Sequence, residues 1–158
     1  MNRNPRFDPN VPQYELDHFQ ELIGKLFQCC QERIQYQSER FGLPDAELRC
    51  LKLFDTERYL TAKGIAIRMN VVKSRVTKIV DGLVRKGLIM KIKDPEDSRV
   101  TLLSLSPQGQ LKLNAINEFL SEVHLEVLNR MAPEHRTHIL SNLELLKTAM
   151  QSVKDMMT

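Results

Sequence analysis

Apolar residues along this chain recur mostly at helical spacing, and one short central segment breaks that pattern. Over residues 15–40, Leu16, Phe19, Ile23, Phe27, Cys30 and Ile34 follow one another at steps of three or four, which predicts a single long helix. Gly42 closes it. Leu43-Pro44-Asp45 opens a second helix over residues 45–55, with Pro44 suited to a first turn and Leu48, Cys50, Leu51 and Phe54 inward. Thr61 is the expected N-cap of a short helix over residues 62–69, with Ile65, Ala66 and Met69 inward. A turn at Asn70-Val71 leads into a further helix over residues 72–86, stopped by Gly87. Residues 88–93 and 100–105 read as two strands around a charged loop. In the first strand Leu88, Met90 and Ile92 share one face, and Lys91 and Lys93 the other. Ser106-Pro107 caps a long helix reaching about residue 131. Pro133 starts a last one with Ile139, Leu143, Leu146, Met150 and Val153 along one side.

This order predicts a mainly α fold. A helix-turn-helix followed by a β-hairpin is a winged-helix unit, whose second helix enters a DNA groove. The expected organisation is an extended, proline-rich N-terminal arm (1–14), a winged helix-turn-helix over 43–106, and a helical dimerisation region made of 15–41 and 107–158. The long apolar stripes of that region need a partner, because exposed patches of such size are unusual in a soluble monomer.

The segment 72–86, VKSRVTKIVDGLVRK, has two distinct sides. With Val76 at the centre of the inner face, Ile79, Val80 and Leu83 fall within about 60° of it at ~100° per residue. Ser74, Lys78, Asp81 and Arg85 lie opposite, flanked by Arg75, Thr77 and Gly82. Ser74, Arg75, Thr77 and Lys78 together offer two cations and two hydroxyls, suited to phosphate oxygens and base edges. By itself this is the wet face of any amphipathic core helix; its place before a hairpin favours a reading helix. Gly82 costs about 1 kcal/mol against alanine in a helix interior, and marks a close approach of backbone or of DNA.

Charge sharpens the picture. Net charge is only +3, but residues 61–99 hold ten Lys/Arg against four acids, a local +6, while the remainder is at −3. A basic centre in an otherwise acidic molecule is the footprint of a polyanion-binding segment. Three cysteines without zinc-type spacing make a disulfide framework improbable and point to a reducing cytoplasm. No apolar stretch is long enough for a membrane span, and the N-terminus lacks the apolar region of a secretory signal.

The charged loop, Asp94 to Arg99, is too long for the tightest turn and should project as a tip. A cation there can reach a minor groove while the helix occupies the adjacent major groove. Arg99 is that cation, and Asp97 can orient its guanidinium. The other reading is a surface ion pair of small worth.

Gly87-Leu88, then Asp94, Asp97 and Arg99, then Leu105-Ser106 and Gly109, in this order and spacing, resemble the core of the MarR family of bacterial transcription regulators. Leu60-Thr61 and Ala66 fit the first helix of the family's motif, and the resemblance covers residues 43–109. The family usually has Arg where Lys91 stands and a second basic residue at Ser98. It often has a polar cap at Val72 and larger residues at Gly64 and Gly82. The resemblance implies a homodimer reading a near-palindromic site in double-stranded DNA, repression as the usual outcome, and, in many members, release by a small-molecule effector in a cleft between the dimer helices and the DNA-binding lobe. The candidate DNA contacts are Thr61, Lys73, Ser74, Arg75, Thr77, Lys78, Lys91, Asp97 and Arg99.

Other chemistry finds little footing. There is no Gly-rich phosphate loop, nucleophile elbow or recognisable triad, so no enzyme and no cofactor are expected. His135 and His138 stand three apart but lack further ligands, and read as surface histidines rather than a metal site. Cys29 or Cys30 would serve a redox-sensing regulator if exposed and electropositive, yet Cys30 lies on the apolar side with Phe27 and Ile34. A dimeric helical adaptor without DNA binding is the remaining alternative.

Overall fold

The computed structural model describes residues 11–157, so residues 1–10 of the expected N-terminal arm lie outside the described residues. Its elements run α1 (Gln13–Phe41), α2 (Asp45–Lys52) continued by a 3-10 turn (Leu53–Asp55), α3 (Ala62–Met69), α4 (Lys73–Arg85), β1 (Ile89–Lys93), β2 (Thr101–Leu105), α5 (Pro107–Asn129) and α6 (Pro133–Met156). Every expected element is present, most within two residues of its expected limits. The chain divides into two compact units, the first ending at Leu113 and the second starting at Asn114.

In the first unit the helix ends follow from local chemistry. Gly42 and Gly87 take left-handed backbone, φ 65° and 70°, as helix-stopping residues do. Asn70 does the same at φ 53°, a conformation its short polar side chain tolerates. Thr61 caps α3 by accepting the Gly64 N–H at 3.0 Å. The core gathers Leu48, Cys50 and Leu51 from α2, Ile65 and Met69 from α3, and Val76, Ile79, Val80 and Leu83 from α4, all buried. Burial pushes the Cys50 thiol up to about 12, with the charge of Glu47 adding to it, so the thiol stays protonated at neutral pH.

The hairpin pairs antiparallel, Ile89 opposite Leu105 and Lys93 opposite Thr101. Leu60, just before α3, adds an isolated bridge to Leu103, exchanging both backbone bonds at 2.9 and 2.7 Å. Within β1, Met90 and Ile92 alternate with Lys91 and Lys93, as expected. Leu88, expected in the same strand, instead belongs to the turn after α4, its N–H bonded to the Leu83 carbonyl. Leu88 and Ile89 are buried, whereas Met90 and Ile92 are 43% and 36% exposed.

The hairpin's base is clasped to the start of α5. The Ser106 hydroxyl accepts the Gly109 N–H at 2.9 Å and donates to the Gly87 carbonyl at 2.5 Å, while the Ser106 N–H donates to the Leu88 carbonyl at 3.0 Å. Gly109 lies so close to the Leu88 carbonyl that a Cβ there would collide with backbone, only 2.9 Å from its carbon.

In the second unit Ile116, Phe119 and Leu120 of α5 are buried. Arg136 donates to the carbonyls of Leu128 and Met131 at 2.9 and 3.2 Å, closing the end of α5 against the start of α6. No residue of α6 is buried, and Ile139, Leu143, Met150 and Val153 face outward. α1 in the first unit is similar: Leu16, Phe19 and Phe27 are exposed, and Gln37 is its one buried residue. Cys30 is exposed along with Cys29, so the apolar side expected to cover it is itself uncovered. Among the described residues no helix is long and apolar enough to cross a membrane.

Gly109→Ala should destabilise the protein by roughly 1–3 kcal/mol, the range for forcing a carbon into a filled site, read as a lowered urea midpoint. An unchanged midpoint would mean the clasp is looser than its geometry.

Candidate nucleic-acid interface

α4 presents its inner face to the core through Val76, Ile79, Val80 and Leu83, as the pattern predicted. Lys73, Ser74, Arg75, Thr77 and Lys78 are exposed together on its first two turns. Among the described residues the side chains of Lys73, Ser74, Arg75 and Lys78 hold no hydrogen bond or ion pair. Thr77 differs: its hydroxyl donates back to the Lys73 carbonyl at 3.2 Å, leaving only acceptor capacity outward.

Lys91 on β1 reaches Asp81 of α4 at 2.9 Å, both half exposed. This bridge ties the first wing strand to the flank of the helix. A depression of about 200 Å³ is bordered there by Ala62, Thr77, Asp81, Lys91 and Thr101. Thr77, Lys91 and the N-terminal turn of α3, which Thr61 caps, therefore meet at one place. The Thr61 hydroxyl oxygen is engaged by its own helix, and its proton remains free to donate.

The wing tip folds on itself. Asp94 accepts from the Glu96 N–H at 2.9 Å, and Asp97 from the Arg99 N–H at 3.0 Å. These are local turns of the kind Asp makes with backbone two residues on. The Arg99 guanidinium lies along Asp97, with Nε and Nη2 at 3.0 and 3.3 Å from its two oxygens. The bonds from the guanidinium, and then from the Arg99 N–H, hold the Asp97 carboxyl below its usual value. The carboxylate thus stays charged, and the pair made, until pH falls below the ordinary carboxylate range. Arg99 is 89% exposed all the same: Asp97 orients it without covering it.

Two features escaped the sequence pattern. Gly82, placed at the edge of the outer face, is buried against the carboxylate of Glu47, which bonds Lys86 at 2.5 Å. The glycine's cost in a helix pointed to a close approach of backbone or of DNA; the neighbour is instead a side chain, 35 residues away, and no period links the two. The second is an open cavity of about 390 Å³ lined by Phe54, Glu57, Arg58, Tyr59, Met90, Ile92 and Gln110, where the outward turn of Met90 and Ile92 leads. Arg58 lies over the Tyr59 ring at 5.4 Å, and Glu57 pairs with Arg68 at 2.7 Å. Among the described residues no three His, Cys, Asp or Glu side chains come together as a metal site, His135 and His138 included.

The model of the MarR family matches residues 43–101. A transcriptional repressor of Bacillus subtilis (strain 168), MdtR, is 34% identical over 101 residues, 64% of this chain and 65% of the repressor. Among solved structures, a MarR family protein from Bacillus stearothermophilus superposes with TM-score 0.78 at 18% identity, over 89% of this chain and 99% of that one. The S. aureus MepR–DNA complex does so with TM-score 0.69 at 18% identity, over 83% and 98%. At such identities the two structures speak for the fold. The matched segment holds α2, α3, α4, β1 and the whole wing tip, where Thr61 caps, Gly87 turns and Asp97 orients Arg99: over residues 43–101 the chain matches the MarR family.

Proposed function

We propose that this protein is a sequence-specific DNA-binding repressor that acts in the bacterial cytoplasm as a homodimer on a near-palindromic operator. The observation that carries this reading is the outer face of α4. Lys73, Ser74, Arg75 and Lys78 stand exposed and, among the described residues, without partners on a helix whose other side is core. Open cations and a hydroxyl on a rigid helix suit phosphate oxygens and the base edges of a major groove. Arg99, held by Asp97 on the projecting tip, suits the neighbouring minor groove. Lys91 and Thr61 add backbone contacts at the flank, Lys91 as a point charge rather than a fork. The repressor MdtR and the DNA-bound MepR agree with this reading.

Dimerisation is supported by α1 and α6, whose apolar sides lie open in the single chain. Release by a small-molecule effector is supported by the cavity beside Phe54, Tyr59, Met90 and Ile92, whose size and mixed lining suit a small molecule. The exposure of Cys29 and Cys30 favours a second reading, in which oxidation of either thiol is the releasing signal. Peroxide should then abolish a gel shift in the parent and not in the Cys29→Ser/Cys30→Ser protein. An adaptor that had lost DNA binding would instead give no salt-dependent shift on any DNA selected from a random pool.

Arg99→Ala should weaken operator binding by roughly 1–3 kcal/mol with an unchanged circular dichroism spectrum. Equal affinity at moderate salt would remove the wing tip from the interface. Changing Arg75 or Lys78 to Ala should weaken binding, and at least one of the two should alter the sequences recovered by selection; parental selection by both would mean α4 is not the reader. Light scattering at micromolar protein should give twice the 18.3 kDa chain mass. A stable folded monomer would sink the dimer and the palindromic site together.

A further inference from the structure

Gly82, Glu47 and Lys86 form one arrangement. Glu47 rises from α2 with its side chain only 11% exposed and lies across α4 at Gly82. A Cβ on residue 82 would strike the Glu47 carboxylate oxygen and stand 3.1 Å from its carboxyl carbon. One turn further on, the same carboxylate meets Lys86 Nζ at 2.5 Å, and the lysine remains 40% exposed. The rest of the contact of α4 with the core runs through Val76, Ile79, Val80 and Leu83.

Apolar burial is non-directional and leaves a helix some freedom to roll and slide on its bed. A charge-assisted hydrogen bond at a half-buried site is directional. As a source of stability the arrangement is poor, since glycine is unfavourable within a helix and an ion pair out of water gives up much of its attraction to desolvation. Its gain is geometric. We propose that Glu47 is a positioning residue for α4: seated in the gap left by Gly82 and bonded to Lys86, it sets the roll and axial placement of the helix. It thereby sets where Ser74, Arg75 and Lys78 meet a duplex. This rests on α4 being the reading helix. Lys86 in this scheme is held by Glu47 and is no phosphate contact.

The test compares the full-length parent with Glu47→Gln, Lys86→Met and the reversed pair Glu47→Lys/Lys86→Glu. Each is bound, over a range of salt, to a duplex selected by the parent and to a scrambled duplex, and hydrogen exchange is followed in each free protein. Both single variants should bind the selected duplex about tenfold more weakly and the scrambled one as the parent does, with an unchanged salt slope. Amides of α4 should exchange about tenfold faster relative to those of α3 and the hairpin, and the reversed pair should recover both properties. Three results would overturn the proposal. Loss on both duplexes with a shallower salt slope in Lys86→Met would make Lys86 a phosphate contact. Lowered stability with undiminished discrimination would make the pair a simple brace. Unaltered exchange in α4 would mean that the pair does not restrain the helix. If the parent selects no DNA, the repressor reading fails, and the exchange measurement alone decides whether Glu47 positions α4.

Discussion

The carbonyl of Leu88 is the point on which the winged unit turns. It receives the Ser106 N–H at 3.0 Å, and Gly109 is pressed against it too closely for any side chain. Through it the end of α4, the base of the hairpin and the first turn of α5 are locked together. The Ser106 hydroxyl doubles the lock by reaching Gly87. Each part needs its residue: Gly87 for left-handed backbone, Ser106 for a hydroxyl that both donates and accepts, Gly109 for contact without a Cβ. The Gly-Leu and Leu-Ser-x-x-Gly elements of the motif are the two halves of this clasp.

With the clasp in place, the remaining elements divide their surfaces by role. α4 has one side in the core and one open to solvent, with Glu47 and Lys91 binding its flanks to α2 and β1. The Leu60–Leu103 bridge ties the entry of α3 to the wing, so the helix-turn-helix and the hairpin share one framework. α1 and α6 follow another logic. They are long, continuous and amphipathic, and satisfy almost none of their apolar surface within the single chain.

Local signals made most of the fold legible in the sequence. Helical spacing, Gly42, Gly87, Thr61, Pro107 and Pro133 marked the elements to within a residue or two, because caps and stops act over one turn. The buried face of α4 was readable for the same reason. The first strand was drawn one residue too long, because Leu88 is held by the turn after α4. Asp97 and Arg99 were found as a pair since they are two residues apart. The fellowship of Glu47 with Gly82 was invisible, as it depends on how α2 crosses α4. Thr77 was singled out correctly as exposed, but its back-bond to Lys73 depends on a rotamer that sequence does not specify.

The wing tip is built from bonds that residues 94–100 make among themselves: Asp94 with Glu96 and Val100, Asp97 with Arg99 and Val100. None of the side chains from Asp94 to Arg99 belongs to the buried core. The tip is thus mechanically and energetically separable from the clasp beneath it. A descendant chain could lengthen it, move its arginine or invert its charge with little effect on folding. The projecting tip can change without unfastening the wing, whereas the clasp beneath it cannot.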